Sequence, residues 1–487
     1  MIADDILYKP VTELSKMVRA RQVSPVELTR AYLSRIEALN PVLSAFATIT
    51  GDLALEQARQ AEREIAAGRN RGPLHGIPYG AKDLVATKGI RTTWGARPFA
   101  DRVIDDDAAI IRKLRGAGAV LLGKLAMIEL AGGLGYSKGE SSLTGAAHNP
   151  WALDRWTCGS SSGSGAAVAA ALVPFAIGSE TWGSIVCPSS FCGVSGLRPT
   201  FGRVSRQGAM ALSWTLDKLG PMARSARDCE IVFDHIQGHD PDDPYSSDEK
   251  PAPASDPGSV KTLKVAYLKL DFDKQGDKSV EKAFLLALED LRRAGVHLEE
   301  AKLPDLPFEA AASVVLTAEV ATAFEDLQRS GGARDLVSPD APLSFVVARA
   351  VTGPDFVKAQ RVRTVCQKAM ADLFARHDVL LYPGEGYTAF PIDKDFNDIA
   401  WSDPVGAAGN LCGLPAIAVP CGFGADELPV SLTAMTSAFE ENKGISLARF
   451  FQGITSWHLK RPPLLPVGVT PLAGATGWDV SPRASVP

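Results

Sequence analysis

Cys158-Gly159-Ser160-Ser161-Ser162-Gly163-Ser164-Gly165, then Ala166 to Leu172, then Val173-Pro174-Phe175-Ala176-Ile177, then Gly178-Ser179-Glu180-Thr181-Trp182-Gly183-Ser184-Ile185: a glycine–serine loop, a run of helix formers, a short apolar run and a second glycine–serine loop follow one another without a spacer. A short apolar run punctuated by glycine and proline reads as a buried strand, and a strand joined to a helical run is the repeating unit of an α/β layered fold. Serine–glycine runs are more often flexible linkers. Here each run is bounded by apolar segments that require burial, and only Ala166 to Ile177 separates them. Glycine-rich backbone leading into a helix presents converging N–H donors, which suits an anion or a developing oxyanion.

The same alternation extends in both directions. Ile77 to Tyr79, Ala119 to Leu122, Val265 to Leu268, Val379 to Tyr382 and Pro415 to Pro420 read as strands; Ala108 to Leu114 and Val280 to Ala294 read as helices, and Asp305 to Gln367 is mostly helical. The expected fold is α/β, with a central mixed, largely parallel β-sheet covered by helices on both faces. Toward the N-terminus, Ser24-Pro25-Val26-Glu27 has the form of a capping box with proline at the first helical position, and Asn40-Pro41 is expected to end that helix. Leu53 to Ala67 forms a second, charged helix. The organisation expected is an N-terminal helical segment over 1–70 packing on the core, a catalytic core over 71–240, the rest of the same α/β domain over 241–463 with a helical, substrate-shaping insertion at about 303–410, and an irregular tail over 464–487. Asp240 to Gly258, rich in Pro, Asp and Ser, reads as an exposed loop.

Composition excludes several classes. With 487 residues, 46% hydrophobic and 22% charged, the chain supports a sizeable core, and a net charge of −5 provides no broad basic surface for nucleic acid. The acidic Met1-Ile2-Ala3-Asp4-Asp5 start lacks a signal-peptide core, and no stretch approaches the roughly 18 apolar residues that span a bilayer. Seven scattered cysteines without a C-x-x-C pair suggest reduced thiols in a cytoplasmic protein, with Cys187 and Cys192 as two buried thiols rather than half of a metal site.

Upstream lies His75-Gly76-Ile77-Pro78-Tyr79-Gly80-Ala81-Lys82-Asp83. A lone lysine is usually a solvated surface cation; Lys82 instead follows a strand-like apolar segment. If buried, its charged form is disfavoured and the neutral amine can act as a general base. Two other motif matches are weak. Gly159-Ser160-Ser161-Ser162-Gly163 fits the G-x-S-x-G nucleophile elbow, but Asn149 to Arg155 before it reads as a turn rather than the required strand. Gly118 to Lys124 fits G-x-x-x-x-G-K, but Leu125 stands where a P-loop needs Ser or Thr, and the segment reads as a strand.

The string from Gly159 through Pro199 resembles the signature of the amidase signature hydrolases: the Gly-Ser-Ser run, the Gly-x-Glu-Thr-x-Gly-Ser-Ile run, and Phe191-Cys192-Gly193-Val194-Ser195-Gly196-Leu197-Arg198-Pro199. Gly72 to Pro78 followed by Lys82-Asp83 is similar to that family's lysine segment, and the likeness extends to Asn149-Pro150-Trp151, Gly202 to Ser205, Asp217 to Pro221 and Gly413 to Ala416. The resemblance implies a Ser-Ser-Lys triad. Lys82 is the base, Ser160 the relay held by a cis peptide, and Ser184 the nucleophile; the oxyanion donors are the backbone amides of Thr181, Trp182, Gly183 and Ser184. No histidine, metal or cofactor enters that scheme.

Departures from the pattern carry information too. Trp182 stands where the family usually has Gly or Asp, Glu180 replaces a common Asp, and Val186 a common Arg. The Trp182 indole either narrows the pocket or packs away from it. Trp182, Trp214 and Tyr387 are the candidate substrate-binding residues; Phe345 is a further aromatic that ordinary core packing also explains. The leading expectation is a stand-alone hydrolase of carboxylic amides, with carbamates (urethanes) and esters as variants, through an acyl-enzyme. The alternative is the amide-donor component of a glutamine-dependent aminoacyl-tRNA amidotransferase, which needs partner subunits. Filled triad positions disfavour a third reading, a catalytically dead binding protein. The expected partner is a small-molecule amide, carbamate or ester, with no nucleic acid and no membrane; a homodimer is compatible with the sequence, which specifies no oligomeric state.

Overall fold

The computed structural model describes residues 2–133, 137–250, 254–269, 276–398 and 402–463. The tail expected over 464–487 lies outside the described residues. Thirteen strands are present among those described: β1 Phe46–Ile49, β2 Pro78–Lys82, β3 Val120–Leu125, β4 His148–Asn149, β5 Ala152–Trp156, β6 Phe175–Glu180, β7 Ser195–Arg198, β8 Lys218–Ala223, β9 Val265–Leu268, β10 Leu298–Ala301, β11 Val379–Pro383, β12 Ala416–Phe423 and β13 Pro429–Thr436. Eleven of them form one sheet in the order β1-β3-β2-β6-β8-β7-β12-β13-β11-β9-β10, with helices around it.

The sheet is mixed, as expected, but its parallel share is smaller than the reading of a largely parallel sheet. Parallel pairing joins β3, β2 and β6 on one flank and β11, β9 and β10 on the other. The centre, β6-β8-β7-β12-β13-β11, is antiparallel throughout. Antiparallel neighbours can be linked by short turns, as β12 and β13 are, whereas parallel neighbours need a crossover. Strands β1, β4, β5, β7, β8, β10 and β13 had no counterpart in the expected strands.

Local chemistry explains the N-terminal helices. Ser24 accepts from Glu27 N while Glu27 accepts from Ser24 N, so the capping box is formed. The helix Pro25–Leu43 then runs past Asn40-Pro41, with Pro41 inside it. Asn40 Oδ1 accepts from Phe46 N at 2.8 Å, so the chain turns into β1 beyond the proline rather than before it. The next helix is Gly51–Ala66. Asn149 to Arg155 also departs from expectation: Ala152–Trp156 is a strand paired with β4, not a turn. Among the described residues, no helix is long and apolar enough to cross a membrane.

Candidate active site

Lys82 is the last residue of β2, a strand buried at every position between β3 and β6. The side chain is fully buried and its Nζ donates to Ser160 Oγ at 2.7 Å, Ser179 Oγ at 2.9 Å and Ser161 Oγ at 3.0 Å. Three hydroxyls and no carboxylate within ion-pair distance surround it among the described residues. Burial pushes its ionisation well below the ordinary lysine range, with Asp217 and Glu180 pulling part of the way back. Lys124 on β3 is the contrasting case. It is equally buried, but pairs with Asp83 at 3.3 Å and donates to Val85 O at 2.7 Å and Thr92 Oγ1 at 2.8 Å. Lys124 is therefore a strand lysine with a satisfied charge, as the rejection of a P-loop requires.

Ser160 sits between β5 and the buried helix Ser162–Ala169, and the Gly159–Ser160 peptide is cis. The glycines here are set by close approach. A Cβ at Gly163 would lie 2.3 Å from Ala45 O and 2.6 Å from Ala126 N, and one at Gly159 would lie 2.0 Å from Ile128 Cδ1. The run is thus a packed loop and no linker. Although a strand does precede the G-x-S-x-G match, its central Ser161 donates to Ser179 O at 3.1 Å and accepts from Ser179 N and Lys82. No histidine hydrogen-bonds to it among the described residues, so the elbow reading still fails.

Ser184 lies in the loop between β6 and the helix Val186–Cys192. Glu180, at the end of β6, organises this loop. Its Oε2 accepts from Ile185 N at 2.8 Å and Val186 N at 3.0 Å; its Oε1 accepts from Arg198 at 2.8 Å and Asn410 at 2.9 Å. Burial alone would raise this carboxyl, but Arg198 and Lys218 hold it down at about 2. With the two following amides engaged by Glu180, the N–H groups of Thr181, Trp182, Gly183 and Ser184 have no acceptor among the described residues. Gly183 has φ of 81° and open space on its Cβ side. Ser184 Oγ makes no hydrogen bond among the described residues, and Ser184 is 7% exposed. A hydroxyl beside four unengaged N–H groups can attack a carbonyl and leave the resulting oxyanion solvated by backbone.

One expectation is corrected. Cys158 and Cys187 are joined in a disulfide, with Cα atoms 5.8 Å apart, while Cys192, Cys229, Cys366, Cys412 and Cys421 are free and buried. The two partners are 29 residues apart, so spacing gave no sign of the pair. The fold brings the loop before Ser160 against the helix after Ser184.

The expected wall residues separate. Trp182 is half-buried, and its indole N–H donates to Asp403 Oδ2 at 2.9 Å. Asp403 caps the helix Pro404–Leu411, and its carboxyl is pushed up to about 6, chiefly by burial. Trp214 is 39% exposed and lines a cavity of about 270 Å³ that reaches Ser179 and Thr181. Tyr387 is half-buried against Phe390. Phe345 is fully buried against Phe324 and belongs to the core. Sequence reading missed Ser161 and Ser179 as partners of Lys82, and Asp217, which accepts from Thr181 Oγ1 at 2.5 Å beside the oxyanion amides. It also missed Asp403 and Glu385. Serine–glycine richness was the sole signal for the two serines; Asp217 opened a stretch that resembles the family, without a role attached, and Asp403 and Glu385 carried no signal.

Comparison with known proteins shows the family and the fold. The family model described as Amidase matches residues 27–444. The A subunit of the glutamyl-tRNA(Gln) amidotransferase of Coxiella burnetii is 35% identical, over 94% of this chain and 99% of the relative. The native peptide amidase from Stenotrophomonas maltophilia superposes with a TM-score of 0.83 at 33% identity, covering 93% of this chain and 98% of that one. A 6-aminohexanoate cyclic dimer hydrolase solved with its substrate gives a TM-score of 0.83 at 28% identity, covering 95% and 100%.

Proposed function

Because the chain belongs to the amidase family, we propose that it is a stand-alone hydrolase of carboxylic amide C–N bonds, with carbamates and esters as further substrates. The observation that carries this reading is Lys82, fully buried, without a carboxylate partner among the described residues, and 2.7 Å from Ser160. In the reaction, neutral Lys82 takes a proton from Ser160, Ser160 takes one from Ser184, and Ser184 Oγ attacks the carbonyl carbon. The oxyanion is held by the N–H groups of Thr181, Trp182, Gly183 and Ser184. Collapse breaks the C–N bond as the proton returns through Ser160 to the leaving nitrogen. Water then cleaves the acyl-enzyme by the same relay, restoring Ser184.

The test is direct. Purified protein should hydrolyse aryl amides or aryl carbamates unaided, and a fluorophosphonate should label Ser184. Ser184→Ala should lose activity by at least about a thousandfold, since removing a nucleophile leaves only binding and oxyanion stabilisation. Full activity in Ser184→Ala would remove it from the mechanism.

A second reading is favoured by one observation, the 35% identity to an amidotransferase component over nearly its whole length. In that case the chain would release ammonia from glutamine for partner subunits. Trp182 argues against it, as a bulky indole tied to Asp403 in place of the small residue expected before Gly183. Activity toward glutamine alone, and only with added partners, would favour the second reading; hydrolysis of aryl amides by the chain alone would exclude the need for it.

A further inference from the structure

We propose that Glu385 is a specificity-determining residue of this site, holding a protonated amine of the substrate between the two catalytic serine loops. Glu385 follows the end of β11, and a carboxyl oxygen lies within 4.8 Å of the sulfurs of both Cys158 and Cys187. Cys158 precedes Ser160 by two positions and Cys187 follows Ser184 by three, so the carboxyl sits where the relay and nucleophile loops meet. It is half-buried and has no hydrogen bond or ion pair among the described residues.

The surroundings are short of positive charge. The ionised groups that act on Glu385 are Asp403 and Glu180, both acidic. Glu180 is matched by Arg198, and Asp403 is committed to the Trp182 indole and Gly406 N. Glu385 alone lacks a counterpart. Burial and the two like charges push Glu385 well above the usual carboxylate range. That direction favours the protonated acid while the site is empty; a ligand ammonium beside Glu385 restores the carboxylate and supplies N–H donors that it can accept. The ligand class is therefore an amide or carbamate carrying a primary ammonium on the part of the molecule seated beside Cys158 and Cys187.

This inference rests on the hydrolase reading. The test compares ω-aminoacyl para-nitroanilides of increasing chain length with alkanoyl para-nitroanilides of equal length, in which methyl replaces ammonium. At the best length, kcat/KM should favour the ammonium substrate by about tenfold or more, the scale of a hydrogen bond to a charged group. Glu385→Gln, which preserves size, should abolish that preference, bringing the ammonium substrate down to the rate of the alkanoyl substrate in the same variant. Equal rates for the two series, or an equal fall in both on Glu385→Gln, would overturn the assignment and leave the hydrolase reading intact. Calorimetric binding of the parent ω-aminoacyl and alkanoyl amides to Ser184→Ala protein reads the same preference without turnover. Absence of hydrolysis would sink the hydrolase reading, and equal affinities there would separately sink the role of Glu385.

Discussion

Lys82 and Lys124 are both fully buried at corresponding ends of adjacent strands, yet only one is placed to be a base. The difference is the partner. Burial lowers the ionisation of both, but the Asp83 ion pair offsets part of that at Lys124, whereas Lys82, among three hydroxyls, is lowered well below the ordinary lysine range. In the proposed relay the neutral amine is the active species, so kcat/KM should rise with pH through the depressed lysine ionisation and then level. Protonation below that point stops the relay from accepting the Ser160 proton. In Lys82→Met the rising limb should vanish together with most of the activity; a pH–rate profile unchanged by Lys82→Met would exclude the lysine from proton transfer. The motif-bearing residues were legible at this scale. Ser160 and Ser184 stood out in glycine-rich runs, though choosing among Ser160, Ser161 and Ser162 needed the family pattern. Structure assigns Ser161 a second hydrogen bond to Lys82, a role that composition does not distinguish from that of its neighbours.

At the scale of elements, two helices far along the chain brace the loop that carries Thr181 and Ser184. Glu319, on the helix Phe308–Ala323, accepts from Thr215 N at 3.1 Å and Thr215 Oγ1 at 2.8 Å, and from Ser213 Oγ. Arg363, on the helix Gly353–Phe374, donates to Thr215 Oγ1 at 2.9 Å and Thr215 O at 2.8 Å. These bonds hold the turn whose Leu212 and Ser213 amides bind Asp217, and Asp217 in turn holds Thr181. Glu319→Gln keeps the shape but weakens charge-assisted bonds, which are worth about 1.5–3 kcal/mol each. The expected outcome is a lower thermal midpoint and a several-fold fall in kcat with KM little changed. Rescue by Glu319→Asp should be partial at best. An unchanged kcat beside a lowered midpoint would reduce the contact to a purely structural one. The helical character of this region was readable from its periodicity; its hold on the site was not, because Glu319 and Arg363 look like surface charges until the fold buries them.

For the molecule as a whole, the Arg198–Glu180 pair sits at the centre of the sheet. It ties β6 to β7 and, through Arg198 Nε to Leu414 O at 3.0 Å, to the turn before β12. Both side chains are buried, so removing one partner strands the other charge. Arg198→Met should destabilise the protein by about 3–5 kcal/mol, read from the urea midpoint. A loss under about 1 kcal/mol would show that Asn410 and the two loop amides suffice for Glu180. The sign with pH follows from the lowered carboxyl. The stability that Glu180 contributes is complete above the ordinary carboxylate range and is lost as pH falls toward about 2.

Local sequence was enough for the α/β class, the strands that carry Lys82 and lead to Ser184, and the two glycine-rich loops, because these depend on local apolar runs and on backbone that only glycine permits. It overestimated the parallel share of the sheet, since strand direction depends on which distant segments pair. It placed Cys158 and Cys187 as separate thiols, since their meeting is made by loop packing. The same limit governs the lysines. In the parallel register of β2 and β3, Ala81 lies opposite Lys124 and Lys82 opposite Leu125. The fold then gives Asp83 to Lys124 and a hydroxyl cage to Lys82. Charge state follows from three-dimensional neighbours, so which lysine is left without a carboxylate is a property of the assembled fold.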